Sequence, residues 1–576
     1  MIDSIQNKRY NTFCMENFRR NLKRIYINKA YVCLIALVAA CGYGFKIMHP
    51  AIGIDDTPYA YYFEEGLAAV VGRWVLFVLN KFMHLSEFAP FITDFAAVLI
   101  LIAAVTVWGV LFYSVFGEKI PKFGYWFFSC IFLSCPLIAE VFTYYLHNGI
   151  AIGYLACGIS LYLFREGLGS LEYRRTGQGA GRFVAAVIAM VIAMGCYESF
   201  MIVWLVGVLF VLLAERLTGM RGKVFQRLLT AALVAVCAMV LRTIVLKLVV
   251  AVFDLAYLQD DAVQRSVSEL LGWMFEPGAR AEFAMVLKRL FVMYGVCAYA
   301  YYPIRIFVGA AFVIAAYSLW RSIRQKDLWI IVLMAGSFIA AFLLAVVEGK
   351  ATLYRSAQFL PLVCGFGILL ASCAVSGFGA WLRAGRNRQK VRTILAKGSI
   401  ILYVFVVTAI LWNQCTDLNK WFYVDYRKYE YTKDYMLRIA NELERNFDTG
   451  KPVIFTGEWD NPKSIVGDAY VDYSSETFYK MKRITDLADD HLLEKFYRGH
   501  GVWVAQTPSL TVVSWGKYAF GTDEELLRFL RMHGHEFTPL SDTSLYESAE
   551  QYAVGLPSFP AEGSIVDMGD YIIIHL

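Results

Sequence analysis

Apolar stretches of membrane-crossing length recur along most of the chain, and no other feature restricts its fold as much. A helix needs about 20 largely apolar residues to cross a bilayer. Eleven stretches qualify as candidates: 30–45, 91–116, 123–141, 148–164, 182–197, 199–214, 228–252, 303–320, 328–347, 357–380 and 398–414. Two further stretches are apolar without reading as spans. Val70 to Met83 is short, and Met285 to Tyr302 is striped and carries Lys288 and Arg289. Both are expected to lie in the interface or to re-enter it. Composition agrees, with 58% hydrophobic and 18% charged residues, against roughly 25% charged in an ordinary soluble domain. That excludes a disordered chain and argues against an all-soluble enzyme.

Charge orders the spans. Residues 1–29 hold seven basic and two acidic side chains, with no usable cleavage site after the first apolar run, so they read as a cytoplasmic leader rather than a signal peptide. With the N-terminus inside, the inner loops fall near 117–122, 165–181, 215–227, 321–327 and 381–397. Four of them are rich in Arg and Lys, including Arg165, Arg216, Arg227, Arg321 and Arg383, as the positive-inside rule requires. The long outer loop 253–284 is acidic. Residues 1–412 hold 38 basic and 22 acidic side chains, and residues 413–576 hold 16 and 26. A basic membrane part and an acidic tail suggest different environments.

The expected organisation is therefore a leader over 1–29, a transmembrane domain over 30–414 with a first outer loop at 47–69, and a soluble domain over 415–576. An odd number of spans places that tail outside. In it, Thr432 to Phe447 has helical periodicity, Pro452 to Thr456 reads as a strand, and Asp523 to Met532 as a helix with Thr522 as its N-cap. Val502 to Ala505, Leu510 to Ser514 and Tyr571 to His575 are further strand candidates. The alternation suggests a small α/β unit. It has no Gly-rich phosphate loop. The 12 cysteines include no CxxC and no zinc-ligand spacing, and they read as packed apolar residues.

Chemistry is sought where ionisable groups meet the membrane surface, because such groups are costly there and functional by default. The first outer loop carries His49, Asp55, Asp56, Glu64 and Glu65. A carboxylate there can act as a general base on an attacking hydroxyl. Other polar residues gather at the same outer ends. Arg73 stands in Gly-Arg-Trp. His147 lies in the run from Thr143 to Asn148, and Glu198 lies in Tyr-Glu-Ser between two spans. Lys288 and Arg289 lie on the striped stretch, and Arg355 and Gln358 open the tenth span. Arg holds phosphate in a bidentate way, so outer carboxylates with outer arginines suit a phosphate leaving group and an acceptor hydroxyl.

An N-terminal helix, then IGIDDT in an outer loop, then GRW and an apolar stretch, resembles the bacterial membrane glucosyltransferases of the Gtr type II family, which are GT-C-like. The Tyr-Glu-Ser turn at Tyr197 and RSAQFLP from Arg355 to Pro361 share the likeness, which covers roughly residues 30–415. The expected fold is a polytopic helical membrane protein of about eleven transmembrane helices plus interfacial helices, with a C-terminal extracytoplasmic α/β domain, and the resemblance implies that its membrane part is GT-C-like. It would sit in the bacterial cytoplasmic membrane. The resemblance further implies a hexose, glucose, moved from a polyprenyl-phosphate donor such as undecaprenyl-phosphate glucose to a cell-surface polysaccharide such as O-antigen. The reaction implied is one inverting displacement with Asp55 or Asp56 as base. Arg73 or Arg355 would lie on the phosphate, and Glu198 and His147 on the sugar. Some GT-C enzymes use a divalent metal, which Asp55, Asp56 and His49 could bind. Implied partners are the membrane lipid, the surface glycan, and the proteins that make and flip the donor; nothing calls for nucleic acid. A lipid-linked glycan flippase, a polysaccharide polymerase and a surface scaffold are the rival readings of the same hydropathy.

Overall fold

The computed structural model describes residues 16–51, 66–83, 90–138, 142, 147–172, 176–220, 222–255, 272–295, 302–349, 356–384, 389–457, 459, 520, 522–542 and 544–576. Helix dominates them. The elements are α1 (Lys29–Met48), α2 (Gly66–Val70), α3 (Trp74–Met83), α4 (Pro90–Phe116), α5 (Lys122–Leu133), α6 (His147–Glu172), α7 (Thr176–Cys196), α8 (Phe200–Leu217) and α9 (Val224–Val252). They continue with α10 (Ala279–Tyr294), α11 (Tyr302–Gln325), α12 (Trp329–Ala341), α13 (Leu343–Glu348), α14 (Leu360–Ala384) and α15 (Gln389–Asn446). The tail adds β1 (Val453–Thr456), α16 (Asp523–Met532), α17 (Ser544–Ala553), β2 (Ile565–Asp567) and β3 (Ile572–His575).

Eight helices among the described residues are long and apolar enough to cross a membrane: Lys29–Met48, Phe91–Lys119, Gly177–Cys196, Phe200–Leu217, Val224–Val252, Ile304–Gln325, Leu360–Leu382 and the apolar part of Gln389–Asn446. The sequence suggests eleven. Two of the other three are shorter than expected. α5 stops ahead of Pro136, and α12 breaks at Phe342 before α13 resumes. At 1.5 Å per residue, their 12 and 13 residues cover only about 20 Å. The third, α6, has 26 residues, but its second half carries Arg165 and Glu166. The stretch from Val70 to Met83 resolves into the end of α2, a turn and the ten-residue α3, too short to span.

Large aromatic side chains fill the centre of the bundle. Trp108 of α4 is fully buried and donates its indole N–H to the carbonyl of Tyr154 at 3.0 Å. Phe210 stacks on Phe366 at 4.2 Å, and Phe200 meets Tyr154 edge-on at 5.0 Å. Each such side chain buries 150–250 Å² or so, which draws α4, α6, α8 and α14 together. Around this core α9, α11 and the apolar part of α15 expose Leu, Val, Ile and Phe, such as Leu233, Phe312, Ile401 and Phe405. In water that would be a liability; on a membrane protein it is the lipid-facing surface.

α15 runs for 58 residues, about 87 Å at the α-helical rise. It passes without a break over residue 414, where the sequence suggested a division. No Gly or Pro interrupts residues 399–446, so nothing stops the helix. The segment from Thr432 is its last part, and there Met436, Ile439, Ala440 and Leu443 are buried against the sheet. That sheet has strand order β1-β3-β2. β1 pairs with β3 in parallel, Val453 opposite Ile572, and β2 pairs with β3 antiparallel, Ile565 opposite Ile574. Thr522 caps α16 by accepting from the Glu525 N–H at 3.3 Å. Lys451 holds Asp567 at the sheet edge, 2.6 Å away, and that hydrogen bond keeps the Asp567 carboxyl below its ordinary pKa. Val502 to Ala505 and Leu510 to Ser514 lie outside the described residues.

Candidate functional site

Helix directions separate two ends of the bundle. One holds the end of α1, the GRW turn, the start of α6, the α7–α8 turn, the end of α9 and the start of α14; we term it the first-loop end. The GRW turn is built by its glycine. Gly72 takes φ +91°, a conformation that only glycine adopts at no steric cost. Its N–H and that of Arg73 donate to Ala69 and Ala68 carbonyls at 2.9 and 2.8 Å, closing α2. The Arg73 carbonyl then accepts from Leu76 at 3.0 Å, opening α3.

Two segments converge on this turn. Arg73 lies over the ring of Tyr197, 4.8 Å from its centroid, a cation–π contact. Arg242 reaches from α9 and pairs through Nη2 with Glu198, and the same nitrogen donates to the Gly72 carbonyl at 3.2 Å. A Cβ at Gly72 would collide with Arg242 and stand 3.0 Å from Glu198 Oε1, so glycine is required for space as well as for φ. The Arg242 side chain is 17% exposed and that of Glu198 is 66% exposed.

The cluster is rich in donors. Arg242 Nε, Trp74 Nε1 and Ser199 Oγ are buried and have no hydrogen-bond partner among the described residues. A buried donor without an acceptor costs about 1–3 kcal/mol, so three on neighbouring segments form an unsaturated, acceptor-seeking surface. A Cβ on Gly195 would press into the indole of Trp74, which places that indole against α7 four residues ahead of Ser199.

The sequence-predicted residues divide as follows. Arg73 and Glu198 come together through Tyr197, Gly72 and Arg242. His147 opens α6; a Cβ at Gly149, two residues on, would stand 2.6 Å from Leu76 Cδ2, so this helix start packs on α3. Gln358 is buried, and its carbonyl accepts from Tyr154 Oη at 2.7 Å. It joins the site indirectly, through Tyr154 and Phe200. Lys288 is exposed on α10, whose Tyr294 packs on Phe342 at 4.8 Å and Phe307 at 5.7 Å. Arg289 lies on the same helix. Among the described residues Tyr294 anchors α10 to α11 and to the α12–α13 break. Asp55, Asp56 and Arg355 lie outside the described residues. His49 stacks on Phe45 at 4.2 Å with Nδ1 3.1 Å from the Phe45 carbonyl. No group of three His, Cys, Asp or Glu side chains meets among the described residues.

Sequence reasoning missed two residues. Arg242 interrupts the apolar run 228–252, and that interruption was the signal. Lys46, in the last turn of α1, is 5% exposed, with Nζ 3.5 Å from the Ala51 carbonyl at the start of the first loop.

The described residues thus form a helical bundle with helices long and apolar enough to cross a membrane and a polar cluster at its first-loop end. The chain belongs to the Glucosyl transferase GtrII family, whose model matches residues 44–372. It is a glycosyltransferase, and the matched region takes in the end of α1, the GRW turn, the Tyr-Glu-Ser turn and Arg242. No match was found among curated proteins or solved structures.

Proposed function

We propose that this glycosyltransferase moves glucose from a polyprenyl-phosphate donor to a surface polysaccharide, at the extracytoplasmic face of the bacterial cytoplasmic membrane. The observation that carries this reading is the donor-rich cluster of Arg73, Arg242, Trp74 and Ser199 at the end of the bundle where the Asp55–Asp56 loop begins and ends. Cations and orphan donors beside a loop of carboxylates suit a reaction that develops charge on a phosphate and removes a proton from a hydroxyl.

In the proposed step the acceptor O–H gives its proton to Asp55 or Asp56. The oxygen forms a bond to the anomeric carbon as the bond from that carbon to the phosphate oxygen breaks. The electron pair leaves on the polyprenyl phosphate, and configuration inverts. Arg73 and Arg242 stabilise the leaving phosphate, as preorganised cations do. Glu198 holds Arg242 in place, and His147 lies on the sugar side. The tail, carried outward on α15, would stand on the acceptor's side of the membrane.

The test uses membranes supplied with labelled polyprenyl-phosphate glucose and host surface glycan. Wild-type membranes transfer label, and Asp55→Asn or Asp56→Asn lowers the rate about 10²–10⁴-fold at equal expression. Transfer by wild type with both variants fully active would remove the first loop from catalysis. Absence of transfer by wild type would remove the donor.

A further inference from the structure

The last part of α15 carries two stripes. Met436, Ile439, Ala440 and Leu443 are buried against the sheet. Arg438, Asn441, Glu442 and Arg445 repeat that helical spacing two residues on, a rotation of roughly 200° at 3.6 residues per turn, and all four are exposed. The segment ahead of β2 rises beside this polar stripe. Tyr435 holds it to the helix: its Oη donates to the Phe559 carbonyl at 2.9 Å, and its ring meets the Phe559 ring edge-on at 5.4 Å. The Phe559 N–H donates to the His575 carbonyl at 2.8 Å, and the Ser564 carbonyl accepts from the His575 N–H at 2.9 Å. Helix and segment are thus fixed as the two walls of a groove of about 720 Å³. Its volume lies in the range of ligand pockets, roughly 300–1,000 Å³.

The groove is polar, and its hydrogen-bonding capacity is of both kinds. Arg438 and Arg445 only donate, Glu442 and Glu562 only accept, and Asn441 does both. Elsewhere on this stretch charges are met: Lys433 pairs with Glu430 at 2.7 Å, and Glu444 with His535 at 2.8 Å. Among the described residues Arg438 and Arg445 form no ion pair, although Glu442 and Glu562 line the same groove. The Arg438 guanidinium lies 5.8 Å from the centroid of Phe559, which adds an apolar surface. Two cations and two carboxylates leave no excess charge to draw a polyanion. A sugar hydroxyl donates and accepts, so a neutral saccharide can use both kinds of side chain.

We propose that this groove binds a short stretch of the acceptor polysaccharide. Arg438, Asn441 and Arg445 donate to its oxygens, Glu442 and Glu562 accept from its hydroxyls, and Phe559 covers the C–H face of a sugar ring. The inference rests on the polysaccharide-acceptor reading above and adds to it a holding site in the tail, outside the residues 44–372 that the family model matches. With one stretch of the polymer held on the tail, the encounter of the rest with the transmembrane part becomes intramolecular.

The experiment uses the full-length protein in nanodiscs, with host surface polysaccharide freed of its lipid as the probe. Binding is read by calorimetry without donor, and transfer from labelled polyprenyl-phosphate glucose is read separately. Arg445→Ala removes a donor, and Ala561→Trp fills the groove from the other wall. Each should weaken polysaccharide binding about tenfold, the worth of one charge-assisted hydrogen bond, and raise KM for the polysaccharide alike while KM for the donor holds. Glu444→Gln, on the same helix outside the groove, should bind as wild type does. Inorganic polyphosphate should not compete. Unchanged binding in both variants, absence of binding by wild type, or competition by polyphosphate overturns the groove assignment. If the polysaccharide binds through the groove and no prenyl donor supports transfer, the reaction proposed above fails and the groove stands. If transfer proceeds and both variants keep the wild-type KM for polysaccharide, the reaction stands and the groove fails.

Discussion

At the end of the bundle opposite the first loop, a buried carboxylate takes up two arginines. Glu215, 7% exposed, receives Arg165 Nε at 3.1 Å on one oxygen and Arg227 on the other. Arg165 spends its remaining nitrogens on Ser114 Oγ and the Ser114 carbonyl, at 3.0 and 3.2 Å. Arg216 pairs with Asp327 at 3.1 Å, and Arg321 caps the Leu217 carbonyl at 2.6 Å while its buried Nε has no partner among the described residues. At the first-loop end Arg242 shares one nitrogen between Glu198 and Gly72 and keeps a buried Nε without a partner among the described residues. The same side chain thus does two jobs. Where its hydrogen bonds are met within the protein, it fastens helix ends together. Where one is left over beside the first loop, as on Arg242, it is free to serve the proposed leaving phosphate. What separates the two ends is the carboxylate: Glu215 is buried between its arginines, whereas Glu198 is mostly exposed beside Arg242.

The sharpest way to break this comparison is Glu215→Ala. It strands two arginines in a buried setting, and breaking such a pair costs about 3–5 kcal/mol. Thermal unfolding in detergent should show the largest loss of any variant here, while transfer per folded molecule stays at the wild-type rate. A stable Glu215→Ala protein would mean the opposite end is no fastener. Arg242→Ala reverses the pattern. Loss of one preorganised donor to a developing charge costs about 10²–10³ in rate, and the unfolding temperature should fall less than for Glu215→Ala. Equal transfer by this variant and wild type would take Arg242 out of the site. Glu198→Gln is milder. Glu198 is mostly exposed, so its ion pair is screened, and a less than tenfold fall in kcat identifies it as a residue that positions Arg242. A hundredfold fall, with KM for the donor unchanged, would instead put it in contact with the reacting sugar.

The smallest effect belongs to the tail. Asp567 has its pKa lowered by Lys451 and by the Gly569 N–H. A carboxylate with a depressed folded pKa adds stability above its unfolded pKa, about 3.9, and loses it as pH falls through the folded value. Wild type should therefore melt slightly above Asp567→Asn at pH 6, and the gap should narrow as pH falls below the unfolded value. A gap that widened on acidification would contradict the sign of the shift.

Much of the fold was legible because it follows local rules. Long apolar runs became helices, Thr522 capped α16, and Pro452 to Thr456 and Tyr571 to His575 supplied the paired strands β1 and β3. β2 was not legible. Ile565–Asp567 is three residues long and is a strand only because β3 lies beside it. α17 was missed as well, since its ten residues bury few side chains, Ala549 and Ala553 among them. Arg73 and Glu198, which meet at the GRW turn, could be singled out in the sequence because ionisable residues at helix ends stand out. Arg242 was passed over because one arginine in a long apolar run resembles a snorkelling side chain.

By itself the sequence determined that this chain is a bundle of apolar helices, with basic residues concentrated in alternate loops and a polar set in the others. Those are properties of segments, and hydrophobic transfer acts on each segment independently. Only the tertiary structure decided which arginines are spent and which are kept. Arg242 meets Glu198 from 44 residues away and Gly72 from 170, and no local pattern encodes that meeting. It depends on α2, α7 and α9 packing so closely that a glycine is needed where they meet. The hydrogen-bond balance of a buried arginine is settled only when its neighbours are in place.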